Sequence, residues 1–418
     1  MKKIYWIIVI VAIGVFGALL LYFYLIRQSP TTDNLVLKNA TNPVLGGNDN
    51  PASGIDFTTQ ASRLESYTDD GAAKSVVAEL LDRPQMIWPV INSKIVGAVL
   101  SRSGDRIQYY DSLEKTLLSV DLAGSDPQLL DTQEATIKKL IWSPNAERFL
   151  YLSDTGKYIG RDISGYQENF SASNIESPIF VDDQGTIAYQ YRDFSGEISN
   201  ISIATLSKNL TDFRVLVPIR GDLELKLIPQ KNALAYYLEP NLNRTSAVES
   251  VSLAGSPTKG LYTNQGLGTD ACWSPDGKKM VFTQLDRAGN LKLYLSDSDG
   301  RNSKLLPVAT FVDKITWDTT NNMLILAVPK IMPSISDYFS GQGKTLDRLV
   351  EIDLNTGEKI FTYNLSTDVE GKNLDMRNLF MAADGQLLYF NNQYDQALFT
   401  VNLKRLRAAW LAGFAGFE

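Results

Sequence analysis

The chain contains no histidine at all. That absence excludes a Ser-His-Asp or Cys-His mechanism and any histidine-ligated metal, and leaves carboxylate, lysine or tyrosine chemistry. Cysteine occurs once, at Cys272, so no internal disulfide forms. Its place beside Trp273 in an apolar run is that of a small buried hydrophobe. There is no G-x-S-x-G elbow, which removes the usual serine-hydrolase arrangement. Gly341-Gln342-Gly343-Lys344-Thr345 lacks the spacing and first glycine of a phosphate loop. An excess of basic residues is missing too. Without Lys2, Lys3 and Arg27, 37 basic residues stand against 47 acidic ones, a formal charge of −10, which argues against nucleic-acid binding. The sequence singles out no catalytic residue, no metal ligand and no cofactor.

Long apolar runs are also absent after residue 26, and this gives the one before it its meaning. Ile4 to Ile26 is 23 residues without a formal charge, preceded by Lys2-Lys3 and followed by Arg27. That length crosses a hydrocarbon core of about 30 Å. The run exceeds a signal-peptide core, and no small-x-small cleavage site follows it, so it predicts an uncleaved anchor rather than a secretory signal. With Lys2 and Lys3 inside, the positive-inside rule puts everything after Arg27 outside the cytoplasm. The expected organisation is a transmembrane anchor with a short cytoplasmic tail over 1–27, a flexible extracytoplasmic linker over 28–71, rich in Thr, Asn, Gly, Ser and Pro, and a folded domain over 72–418. The chain is thus expected to be a single-pass protein of the cytoplasmic (inner) membrane.

The folded domain is organised around Ala271–Leu306. There an apolar run ends in Trp273, turns at Ser274-Pro275-Asp276-Gly277, resumes at Met280, breaks at Asp286–Asn290, resumes at Leu291 and turns again at Asp297-Ser298-Asp299-Gly300. Proline presets φ at the turn and glycine accepts positive φ, so the stretch predicts four short strands joined by tight turns. Partial copies follow Trp142 and Trp317, and weaker ones share the geometry without tryptophan. Aligned on the turn, the copies fall at Gly104, Ala146, Gly185, Asn232, Gly277, Asn321 and Gly385, in steps of 42, 39, 47, 45, 44 and 64. A period in the forties with four strands per unit predicts an all-β fold, a seven-bladed β-propeller, with six or eight blades as alternatives. Trp142, Trp273, Pro275, Asp276, Gly277 and Trp317 are then structural repeat positions, the tryptophans packing between sheets. The acidic turn at Asp297–Gly300 could begin a calcium loop, but it lacks the later ligands and reads better as a hairpin.

Trp273 to Gly277, followed by Leu293-Tyr294-Leu295-Ser296-Asp297-Ser298-Asp299-Gly300, resembles the WD-like repeat of TolB-like propellers and of prolyl-oligopeptidase-type propellers. The resemblance covers about 320 residues, from Gln85 to Leu403. It implies the propeller fold and is consistent with an envelope location, but the repeat is shared by proteins of many functions. The chain departs from TolB in having seven units, and an anchor with a linker in place of a folded amino-terminal domain.

Ring closure needs a strand for the last blade, either Leu406–Leu411 or, preferably, a segment before the first blade such as Ser75–Leu81. The long step contains two insertions, Pro329–Asp347 and Ser366–Arg377, which emerge on the same face. Ile331, Met332, Ile335, Tyr338 and Phe339 in the first insertion are candidate partner-binding residues. The competing reading folds them back on the neighbouring blade. The expected role is protein interaction or scaffolding with another envelope or surface protein. The alternative is a carbohydrate-active or other enzyme with a carboxylate-based site in the funnel.

Overall fold

The computed structural model describes residues 71–413, apart from 133–135, 165–169, 194, 220, 241, 256–265 and 366–371. The expected anchor, and the expected linker up to residue 70, lie outside the described residues. Among the described residues no helix is long and apolar enough to cross a membrane.

Seven antiparallel sheets follow one another along the chain, one for each of the seven turn signals. The first blade is Ile95–Leu100, Arg106–Asp111, Thr116–Asp121 and Gln128–Thr132. The fifth, which holds the best-preserved repeat, is Asp270–Trp273, Lys279–Leu285, Leu291–Asp297 and Lys304–Leu305. Blade 4 has three strands among the described residues. The first-to-second turns define a lower face; the second-to-third turns and the blade-to-blade connections define the upper one.

The turn chemistry explains the repeat. In blade 5 the Ser274 hydroxyl accepts the Lys279 N–H at 2.9 Å and donates to Asp276 Oδ1 at 2.6 Å. Ser143 does the same in blade 2, accepting from Arg148 N and donating to Asn145. Ser101 does so in blade 1 with Arg106 N and Asp105. Each turn needs one left-handed residue, and Gly104, Ala146, Gly185, Asn232, Gly277 and Gly385 all have positive φ; in blade 6 that residue is Asn322, one position after the predicted Asn321. Gly277 is the strictest case, because a Cβ there would lie 2.0 Å from the Pro229 carbonyl oxygen of blade 4. The Asp297–Gly300 turn is likewise a hairpin, with its first carboxylate held by Lys279 and Asn302.

The core is divided among the blade interfaces. Successive strand residues point to opposite faces, so the second strand of each blade serves two neighbours. In Leu387–Asn392 of blade 7, Leu387 and Tyr389 pack towards blade 1, while Leu388 and Phe390 pack towards blade 6. In blade 5, Met280 and Phe282 face blade 4 and Val281 faces blade 6. Seven apolar clusters result, one at each interface, including the one between blades 7 and 1. The ring is therefore closed.

The closing strand is neither of the two expected segments. Ile87–Ile91 adds to the outer edge of blade 7, antiparallel to Leu398–Asn402, with Ile87 opposite Val401 and Trp88 opposite Thr400. The expectation that the closing strand precedes the first blade holds, but the segment differs. Its β-branched and aromatic residues suit a strand, and its exposed Pro89 suits an edge. Ser75–Leu81 instead lies in helix α1, Gly71–Asp82, because Ala, Glu and Leu favour helix and its apolar residues share one face. Val76, Val77, Leu80 and Leu81 of α1 pack against the interface of blades 7 and 1. Leu406–Leu411 lies in helix α3, Leu403–Leu411, capped by the Asn402 side chain. Both helices sit at the lower face, where the Asn402 side chain bonds the Leu81 carbonyl and Arg407 reaches Asp318 and Glu351.

A chain beginning at Gly71 is expected to unfold in one cooperative thermal transition. A chain beginning at Asn92, which lacks the closing strand, is expected to lose that cooperativity in scanning calorimetry.

Candidate interaction face and channel

The sixth blade breaks the period because its second-to-third connection is long. After Met323–Pro329 the chain leaves the upper face, forms helix α2, Ile335–Phe339, and returns at Asp347. Ser334 caps α2 by accepting the Asp337 N–H at 3.0 Å.

The structure divides the five candidate residues. Ile335 and Tyr338 are buried with Leu291 and Phe311, and Met332 packs against the same cluster. The Tyr338 ring stacks on Phe311 with centroids 3.5 Å apart, while the Arg377 guanidinium lies 4.0 Å from its centroid. Its hydroxyl donates to Asp313 Oδ1 at 2.6 Å. These residues hold the insertion to the blade. Phe339 sits edge-on to both rings and stays 47% exposed, and Ile331 is 84% exposed. The insertion is thus folded back and still leaves two apolar side chains to solvent on the upper face.

Beneath the insertion lies a buried ionic network. Lys314 is fully buried, and its Nζ donates to Asp347 Oδ2 and Asp375 Oδ1, both at 2.6 Å, and to the Met376 carbonyl at 3.0 Å. Thr345, on the return leg of the insertion, donates to Asp375 from both its N–H and its hydroxyl. Arg377 adds a pairing to Asp375 at 3.4 Å. Although burial opposes it, the Lys314 charge holds the Asp375 carboxyl below the usual carboxylate range. For Asp347 burial prevails, and its carboxyl is raised. The network joins the entry to blade 6, the return of the insertion and the entry to blade 7.

The inner strands of blades 1, 4, 5, 6 and 7 line a central cavity of about 630 Å³. Towards the upper face its wall carries Glu224, Lys226, Asp270 and Asp313, with Phe339 at the rim. Asp270 accepts the Tyr237 hydroxyl at 2.6 Å, and Asp313 accepts that of Tyr338. Burial raises both carboxyls above the usual range. Burial also works against the Lys226 charge, but Asp270 and then Glu224 outweigh it and raise its pKa. Cys272 shares the wall, and burial pushes its thiol up to about 12, so at neutral pH it is no nucleophile.

The repeat tryptophans occupy related positions. Trp142 donates its indole N–H across the interface to the Gly97 carbonyl of blade 1. Trp273 donates to the Ser298 carbonyl at 3.1 Å. Trp273 and Trp317 line the channel. The channel carboxylates were not singled out among the 47 acids, yet the repeat frame marks their places. Asp270 stands three residues before Trp273, and Lys314 stands three before Trp317 with Asp313 beside it.

No family model and no curated protein matches this chain. Among solved structures it is similar to the β-propeller domain of Cps50 (Swd1) from Myceliophteria thermophila. The identity is 9% and the TM-score 0.50, over 76% of this chain and 99% of that one. The likeness is one of fold, a propeller of the WD-like kind.

Lys314→Met is expected to destabilise the domain by about 3–5 kcal/mol, because it leaves the buried Asp347 without a cation and Asp375 with only the more distant Arg377. A fall in the urea midpoint at unchanged slope checks this.

Proposed function

We propose that this chain is a membrane-anchored, extracytoplasmic propeller, of TolB-like kind, that serves as a protein-interaction or scaffolding module of the cell envelope. The observation that carries the reading is the asymmetry of the two faces. Helices α1 and α3 cover part of the lower face, and the chain enters the domain there through α1. The upper face carries the long insertion of blade 6, with Ile331 and Phe339 exposed beside the channel mouth. The proposed tether over residues 4–26 and linker up to residue 71 precede α1 in the chain, and the upper face is left for a partner protein. Exposed apolar and aromatic side chains at a rim supply the anchors such an interface needs.

A second reading is a carbohydrate-active or other enzyme with a carboxylate-based site in the channel, favoured by Asp270 and Asp313, whose raised pKa values suit a proton donor. Against it, the oxygen by which each carboxylate accepts its tyrosine is already occupied.

Two outcomes are expected. A photo-crosslinking residue at Ile331 in native membranes captures a discrete protein, and one at Lys278, in a lower-face turn, does not; equal capture from both positions overturns the reading. The double change Ile331→Ser with Phe339→Ser is expected to lower stability by about 1–2 kcal/mol through the lost ring contacts, to leave the domain folded, and to abolish that capture.

A further inference from the structure

The charges in the channel mouth are incompletely satisfied by the protein itself. Three carboxylates, Glu224, Asp270 and Asp313, share the wall with a single ammonium, Lys226. Among the described residues the Lys226 Nζ makes no hydrogen bond, and its nearest carboxylate oxygen, Glu224 Oε2, is 3.9 Å away. Asp270 is only 9% exposed and lines the cavity, yet both bonds it accepts, from Tyr237 and from the Ala271 N–H, fall on Oδ1. Its Oδ2 takes no hydrogen bond among the described residues. Asp313 repeats the pattern: Tyr338 occupies Oδ1, while the Arg377 guanidinium stays 3.9 Å from Oδ2. The side chains of Lys226 and Asp313 keep 39% and 37% exposure deep inside the ring because the cavity reaches them.

A nine-tenths buried carboxylate with a free oxygen turned to a cavity is costly unless a donor arrives. Within the protein the shortfall is one of cations: besides Lys226 the wall carries Arg102, which is paired with Glu147, and Arg377 stays 3.9 Å from Asp313. Phe339 adds an aromatic face at the rim, and the exposed Ile331 precedes it on the same insertion. That combination suits a side chain with an apolar stem and a cationic head.

We infer that the channel mouth receives an arginine or lysine side chain presented by a partner protein, the head meeting Glu224, Asp270 and Asp313 while the flanking partner segment rests on Phe339 and Ile331. The inference rests on the reading of the upper face as the recognition face. It makes Lys226 a resident competitor: a cation built into the wall that the incoming charge must tolerate.

The test uses the peptide acetyl-Leu-Gly-Arg-Gly-Leu-amide and its citrulline counterpart, which keeps the shape and loses the charge. Trp273 and Trp317 line the cavity and provide a fluorescence readout. The arginine peptide is expected to bind at least tenfold more tightly than the citrulline peptide, and to weaken with added salt. It also weakens on acidification above the ordinary carboxylate range, where Asp270 and Asp313 take up protons. Asp270→Asn is expected to lower its affinity at least fivefold. Because Asp270 also holds Tyr237, Glu224→Gln serves as a second variant, with the same direction expected and thermal unfolding unchanged. Lys226→Met is expected to tighten binding several-fold, a result that a merely structural lysine would not produce. Phe339→Ser should weaken the peptide and leave free argininamide unaffected. Equal binding of the citrulline peptide, loss of affinity in Lys226→Met, or equal affinity for argininamide and the peptide overturns the inference. If Ile331 still captures its partner when Glu224→Gln and Asp270→Asn are combined, the recognition face stands and the cationic head alone is refuted.

Discussion

Each blade has a second strand buried on both faces, and that constraint governs the molecule. Tyr389 and Phe390 are adjacent in sequence and serve opposite interfaces, so blade 7 is stable only between blades 6 and 1. No single sheet can bury its own apolar residues, and the hydrophobic term becomes available only when the ring is whole. A gap at one position would expose about as much apolar surface as a missing interface, which explains why the last blade borrows Ile87–Ile91 from the far end of the domain.

The same constraint separates what a propeller conserves in geometry from what it leaves free. The lower turns are tightly built: Ser274 and its counterparts Ser143 and Ser101 each satisfy a strand N–H, and Gly277 lies against the neighbouring blade. On the upper face Asp111, Asp193 and Asp286 hold the turns of blades 1, 3 and 5 in the same way, but blade 6 departs from them. There a 17-residue excursion between Pro329 and Asp347 is accommodated by one aromatic stack and one ionic network, without changing the sheets beneath.

Much of the fold was legible because turn chemistry and strand alternation are local. Serine, proline, aspartate and glycine around Trp273 specify a hairpin whatever lies next to it, and seven such signals marked seven blades. Ring closure was less legible, since Ser75–Leu81 and Ile87–Ile91 are both apolar and their roles depend on what packs beside them. The edge position of Pro89 was the discriminating clue. The insertion was visible as a broken period, and its five residues were named, but sequence did not divide them into Ile335 and Tyr338, which bind it to the blade, and Ile331 and Phe339, which remain exposed. The channel carboxylates were hidden for a different reason: Asp270 and Asp313 differ from the other acids only in where the ring places them, and that placement is a product of seven sheets converging.

The closing strand also has a mechanical meaning. Ile87–Ile91 is joined to Leu398–Asn402 by an antiparallel ladder, so a load that draws these two strands lengthwise past one another acts along the strand rather than across it. Loaded in shear, the ladder bonds share the force together; peeled from an edge, they would break one at a time. The seam where the ring is joined is thus strongest against lengthwise sliding and weakest against peeling.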